Sequence, residues 1–253
     1  MPNSLAVELP DLTQRSLSQA VPPDGLTAAL PLRGLTILAV EDSRFASEAL
    51  RLMCQRLGAR LRRAETLGTA QSHLRLYRPD VVIIDLGLPD GRGEALIRDV
   101  ILRGPHGPVV IGTSGDSGGR SLALAAGANG FLDKPLESLA VFQAALLRHL
   151  PSDVTPLVDA SAIPLTPDTL ALRDDLTHAA ALIEAGTDAA GEVYLAGFLG
   201  GIARHAHDPA LAKAAAEVTA KAGASPATGR LDQLRLLIRS RLNAPDGAFA
   251  ARG

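Results

Sequence analysis

Three carboxylates, two hydroxyls and one lysine fall, in this 253-residue chain, at places where an apolar run gives out. Glu41 and Asp42 follow LTILAV, Asp85 ends VVIID, Thr113 and Ser114 follow PVVIG, and Lys134 follows GFLD. Carboxylates brought to one point repel each other and raise one another's pKa unless a cation lies between them. A hard divalent ion with oxygen ligands, Mg2+ above all, meets that need. An Asp carboxylate is also a nucleophile toward phosphorus. The transferred phosphoryl spreads its charge over its equatorial oxygens, and an ammonium, a hydroxyl and a divalent cation neutralise them from different sides. The set points to a metal-assisted aspartyl-phosphate site. Each member alone has a plainer reading, since a strand-end Asp caps the next helix and a lone Lys is a solvated surface group.

The elements around these residues must bring them together. After LTILAV comes a helix with Ser43 as N-cap, an apolar side of Phe45, Ala49, Leu52 and Met53, and Gly58 as its stop. A weaker strand around Leu61 precedes a helix from Thr66. VVIID (81–85), a Gly/Pro loop, a helix to about Arg103, PVVIG (108–112) and a small-residue helix, LALAAGA, follow. GFLD (130–133) then leads to a helix with Leu139, Phe142, Leu146 and Leu150 at helical spacing. Short, fully apolar strands alternating with amphipathic helices predict an α/β fold, a five-stranded, doubly wound parallel sheet of flavodoxin type. Such sheets gather ligand chemistry at the carboxyl ends of their strands. All the polar residues named above fall at that rim.

Taken in order, VEDS (40–43), VVIIDLGLPDGRG (81–93), PVVIGTSGD (108–116) and AAGANGFLDKPL (125–136) resemble the four signature segments of the response regulator receiver domain. The resemblance covers residues 34 to about 150. It implies that Asp85 is the phosphoacceptor and that Glu41 and Asp42 hold Mg2+ with Asp85 and the backbone carbonyl of Gly87. It implies that Thr113 contacts the phosphoryl group, that Lys134 pairs with it, that Phe131 is an aromatic switch and that the Lys134–Pro135 bond is cis. A sensor histidine kinase or histidine phosphotransfer protein is then the phosphodonor, and the chain acts on no other substrate as an enzyme. Ser114 stands where the family usually has Ala, so it is an alternative for the hydroxyl role. Gly87 and Gly115 stand where family side chains orient or obstruct the hydrolytic water.

Composition describes a globular protein, and the resemblance implies that it serves a bacterial two-component phosphorelay. Hydrophobic residues make up 47% and charged ones 21%, and no stretch has the roughly 18 consecutive apolar residues of a membrane helix. The start, MPNSLAVELPDLTQRS, lacks the basic and apolar regions of a secretory signal, so a cytoplasmic location without membrane attachment is expected. Cys54, the single cysteine, lies in an apolar helical pattern and reads as an inert buried thiol. A formal charge of −2 excludes a generally basic, nucleic-acid-coating chain.

Residues 1–33 read as a flexible leader, 34–150 as the receiver unit, 151–165 as a Pro-punctuated linker and 166–253 as an all-α bundle. Its helices are LRDDLTHAAALIEAG, VYLAGFLGGIARHA, PALAKAAAEVTAKAG (entered through Asp208 and Pro209) and SPATGRLDQLRLLIRSRL. His178 reads as an ordinary surface histidine, and His205 and His207, two apart on a helix, face different sides. VTAKAGASPATGRL (218–231) resembles a helix-turn-helix core, but Gly229 replaces an apolar locking residue. Residues 151–253 carry nine basic against twelve acidic side chains, which is poor electrostatics for DNA. Protein contact is therefore the expected output, with DNA binding through residues 218–240 the alternative and homodimer formation left open. The surface of residues 115–150 leads into the linker and is the expected docking face of the bundle.

Overall fold

The computed structural model describes residues 30–150, 168–220 and 228–244. Most of the leader, the linker and the proposed helix-turn-helix turn lie outside these described residues. Strand β1 (Thr36–Val40) leads to helix α1 (Arg44–Leu57). Then follow β2 (Arg60–Ala64), α2 (Leu67–Leu76), β3 (Val81–Asp85), β4 (Gly87–Leu88), β5 (Gly91–Arg92) and α3 (Gly93–Ile101). Next are β6 (Val109–Ser114), α4 (Gly119–Ala125), β7 (Gly130–Asp133) and α5 (Leu139–Leu147). The five longer strands form one parallel sheet in the order β2-β1-β3-β6-β7. That is the doubly wound arrangement expected from the strand and helix alternation.

Period-two alternation along the central strands feeds two cores. Leu38, Val82, Ile84 and Val110 face α2, α3 and α4, through Leu74, Leu96, Ile97 and Ala123. Ile37, Ile83 and Ile111 face α1 and α5, through Leu50, Met53, Phe142 and Leu146. Both faces of the sheet are thus covered, which is why these strands read as unbroken apolar runs. Edge strand β2, by contrast, is Arg-rich and half exposed, a charge pattern that discourages further strand pairing. Local signals hold as expected: the Ser43 hydroxyl accepts from Ala46 N–H, and Gly58 ends α1 at φ 85°. The Gly/Pro loop after β3 is a short hairpin, β4 with β5 antiparallel, rather than irregular.

Beyond the sheet lie α6 (Thr169–Ala185), α7 (Ala189–His205), α8 (Pro209–Ala220) and α9 (Thr228–Leu242). Asp168, Asp188 and Asp208 cap the first three, accepting from Leu170, Gly191 and Leu211 N–H. The four helices share one core, with Leu176, Ile183, Leu195, Leu199, Leu211 and Ile238 inside it. Phe45, from α1 of the sheet half, belongs to that same core and is 4% exposed.

The helices therefore dock on the sheet half chiefly through α1, and they meet the expected surface of residues 115–150 at Gly115, Leu136 and Glu137. Leu122 and Leu124 of α4 and Val141 of α5 stay exposed, while α6 and α7 pack against α1. The reason lies in what α1 offers. Its first turn has N–H groups without intrahelical partners, and Asp175 of α6 takes them: Arg44 N–H at 2.9 Å, Phe45 N–H at 3.0 Å and the Ser43 hydroxyl at 2.7 Å. A carboxylate at a helix N-terminus also meets the positive end of the helix dipole.

Truncating the shared aromatic should uncouple the halves. Phe45→Ala is expected to cost about 3–4 kcal/mol and to split urea unfolding into two transitions. A variant that unfolds in one transition at the wild-type midpoint would rule out this coupling.

Candidate functional site

The sheet places the acidic residues at one rim. Asp85 continues the series Val81, Ile83 along β3, and Thr113 continues Ile111 along β6, so the two are direct register partners on the same face. Glu41 and Asp42 leave β1 next door. Lys134 leaves β7, and its N–H donates to the Ser114 carbonyl (2.9 Å). The following bond, to Pro135, is cis. Gly93 is obligatory where it stands, because a Cβ there would collide with the carbonyl of Asp85. Asp90 ties the β4–β5 hairpin to α2, accepting from Leu67 and Gly68 N–H (2.9 and 3.0 Å).

One ammonium organises the carboxylates. Lys134 Nζ lies 2.8 Å from Asp85 Oδ2 and 2.6 Å from Glu41 Oε2. Oxygens of Glu41, Asp42 and Asp85 all lie within 4.8 Å of one another. Burial pushes the Asp85 and Asp42 carboxyls up to about 6, against the opposing pull of Lys134 and, for Asp42, of the Tyr194 hydroxyl. Glu41 is raised by burial as well. Burial would lower the Lys134 pKa, but the charges of Asp85 and Glu41 outweigh it and hold the ammonium protonated. Three carboxylates against one ammonium leave excess negative charge among hard oxygen donors. That donor set fits a small divalent cation.

The two hydroxyls differ in their surroundings. Thr113 is 1% exposed and its Oγ1 has no hydrogen-bond partner, whereas Ser114 Oγ accepts from Asp116 N–H at 3.1 Å. The Phe131 ring is buried against Gly112, with the Arg120 guanidinium 5.1 Å from its centroid.

Helix α7 supplies groups that the sequence reading did not assign. The Tyr194 hydroxyl donates to Asp42 Oδ2 at 2.6 Å, and burial next to that carboxylate raises its own pKa, keeping it a donor. His205 accepts from Leu136 N–H through Nε2 (3.2 Å) and faces the Gly201 carbonyl through Nδ1 (3.2 Å), so the proton sits on Nδ1. Burial and the nearby Lys134 charge lower it to about 4, and it is neutral. His207 lies past the end of α7 rather than on it, exposed and 3.1 Å from Glu137, the residue next to Leu136, and His178 is exposed too. Together the two halves line a cavity of about 630 Å³ that includes Asp85, Lys134, Ser114, Tyr194 and Arg204. The only advance hint was compositional, since Tyr194 is one of two tyrosines and sits in a run of small residues.

The parallel sheet, in the order β2-β1-β3-β6-β7, thus carries three carboxylates and a lysine at one rim. Residues 37–146, a little under half of the chain, match the family model of the response regulator receiver domain. KdpE, the KDP operon transcriptional regulatory protein of Escherichia coli K12, is 35% identical over 116 residues, 45% of this chain and 52% of that protein. The transcriptional regulatory protein PhoP of the same strain is 32% identical over 119 residues, 46% and 53% of the two chains. This chain thus spans about half the length of the curated relatives it matches. A solved signal receiver domain of a histidine kinase from Syntrophus aciditrophicus is 27% identical, with a TM-score of 0.42 over 51% of this chain and 99% of that one. Among the described residues, no helix is long and apolar enough to cross a membrane.

The raised carboxyls make the stability of the metal-free chain depend on pH. A carboxyl whose folded pKa exceeds its unfolded one favours the folded state fully below about 3.8, and loses that contribution as pH rises through about 6. Asp85→Asn should therefore melt above wild type at neutral pH in EDTA and match it near pH 4. Millimolar Mg2+ should narrow the gap at neutral pH. A gap that is constant with pH, measured by thermal unfolding, would contradict the buried, cation-seeking cluster.

Proposed function

We propose that this chain is a cytoplasmic response regulator of a bacterial two-component phosphorelay, taking a phosphoryl group on Asp85. The observation that carries the reading is Lys134 bridging Asp85 and Glu41 beside Asp42, inside the receiver-domain match. Asp85 Oδ2 is engaged by Lys134, while Oδ1 receives only a long contact from Gly87 N–H (3.4 Å). Oδ1 is therefore the nucleophile. An O–P bond forms as the P–N bond of a donor phosphohistidine breaks, its electron pair returning to the protonated imidazole, which leaves neutral. The donor is a sensor histidine kinase or a histidine phosphotransfer protein.

Mg2+, held by Glu41, Asp42, Asp85 and the Gly87 carbonyl, supplies charge neutralisation when bound. Lys134 takes one phosphoryl oxygen, and Thr113, whose hydroxyl has no other partner, takes a second. Phe131 follows Thr113, its ring packed so closely on Gly112 and Gly119 that a Cβ at either would crowd it. Hydrolysis returns Asp85 by attack of water on phosphorus with release of inorganic phosphate. The chain acts on no other substrate.

Acetyl phosphate with Mg2+ should label wild type and leave Asp85→Ala unlabelled, read by phosphate-affinity gel. Labelling of Asp85→Ala, or of wild type in EDTA, would sink the assignment. Thr113→Ala should take label yet lose the hydrogen-exchange response to it around Phe131, and Ser114→Ala should retain that response. The reverse pattern would transfer the hydroxyl role to Ser114.

The four helices signal by protein contact. A second reading, DNA binding, has one observation in its favour, that KdpE and PhoP are named transcriptional regulators. The matched segment ends before α6, however, and Leu234 and Ile238 of α9 are spent on the helical core. The full chain should shift DNA weakly and without sequence preference at physiological salt. A salt-resistant, sequence-specific footprint would establish the second reading instead.

A further inference from the structure

Helix α7 presents one face to the phosphorylation site, and that face is shaped for a ligand. Tyr194, Gly197, Gly201 and Arg204 recur at spacings of three and four along the helix, which sets them on one side, and all four line the cavity over Asp85. Gly197 and Gly201 disfavour helix, yet they stand in its interior. A Cβ at either would meet nothing within 4 Å, so the glycines keep open the space between Tyr194 and Arg204. At one end the tyrosine holds Asp42 on the cation side. At the other lies a guanidinium whose Nε is buried without a hydrogen-bond partner. It packs onto the backbone of Gly115, in the space that a Cβ at that residue would occupy. Gly115 and Ser114 belong to the strand end beside Asp85, and both line the same cavity.

We propose that Arg204 is a phosphoryl ligand donated by the helical half, so that α7 reads the state of Asp85 directly. The proposal rests on Asp85 being the phosphoacceptor. In the unmodified chain the rim carboxylates are taken, two by Lys134 and one by Tyr194, and among the described residues no carboxylate pairs with the guanidinium. A phosphoryl group on Asp85 adds acceptor oxygens and negative charge to the cavity that Arg204 lines. Guanidinium to phosphate is the pairing with the best geometric match, two parallel N–H···O bonds from a planar fork. Lysine cannot reproduce the fork. Gly115 is the residue that admits the guanidinium, and any side chain there displaces it. Phosphorylation accordingly tightens α7 on the receiver half rather than releasing it.

The test uses the full chain with Mg2+ and beryllofluoride as the phosphoryl mimic, loading being followed by fluorine NMR. Hydrogen exchange is read over residues 189–205. Wild type should exchange roughly tenfold more slowly there when loaded, the scale of one charge-assisted pair, and Asp85→Ala should not respond. Arg204→Ala and Gly115→Ala, compared at equal loading, should lose the slowing, and Arg204→Lys should recover only part of it. Slowing in loaded Arg204→Ala equal to wild type would overturn the proposal, as would faster exchange of α7 in loaded wild type. Failure of wild type to load, or of acetyl phosphate to label it, overturns the phosphoacceptor reading and this proposal with it. Normal loading with no change in α7 overturns this proposal alone.

Discussion

The ammonium of Lys134 lies between two buried carboxylates, and much of the architecture is needed to hold it there. Opposite unit charges 3 Å apart attract strongly at low dielectric, but each also loses its hydration, so an imperfect geometry turns the gain into a cost. Good geometry here requires three separate strand ends, those of β1, β3 and β7, to arrive at one rim in fixed register. A doubly wound parallel sheet does that without special loops, because every strand ends on the same side. Gly93 lets α3 start directly against the Asp85 carbonyl, and Ser43 turns the chain away just after Glu41 and Asp42. The remaining imbalance, three carboxylates to one ammonium, is the property a divalent cation answers.

The sheet half was largely legible in the sequence because its determinants are local. Apolar runs with turn signals fixed the strands, and Ser43 and Gly58 marked both ends of α1. The polar rim followed from one general rule about parallel sheets. What escaped was long-range. Phe45 was rightly placed on the apolar side of α1, but nothing in a helical period says which partner that side meets, and here it meets the helical core. Asp175 reads as one more acidic residue in a charged helical run. Its job, satisfying the first turn of a helix more than a hundred residues earlier, leaves no mark in its neighbourhood. That the contact centres on α1 rather than on α4 and α5 has the same origin. Nearness in sequence to the linker favoured the α4–α5 surface, whereas unsatisfied N–H groups and a protruding Phe decided the contact.

Docking through Asp175 also differs in kind from docking through apolar area alone. The carboxyl is buried and its pKa raised, yet it accepts three hydrogen bonds from α1. Removing one partner of such a set leaves the rest unsatisfied, at about 1–3 kcal/mol for each group, so the interface tolerates little sliding. A contact with one sharp geometry suits a helix that must bring Tyr194 and Arg204 to defined places. Slippage by one turn, about 5 Å, would carry both away from the rim.

Covering the proposed phosphoacceptor ties two equilibria together. In the proposed reaction a donor imidazole must reach Asp85 through a cavity that α7 partly lines, so transfer draws on the conformers in which α7 has moved aside. The apparent transfer rate then falls by the fraction of time the helix is docked. After transfer the same helix meets an anion, and docking and phosphorylation become linked. Linkage is reciprocal: if the phosphoryl group favours docking about tenfold, docking favours the phosphorylated form over the free one by the same factor. The helical half therefore needs no route through α4 and α5 to sense the receiver. It is already in the site, and its position before transfer limits access while its position afterwards holds the product.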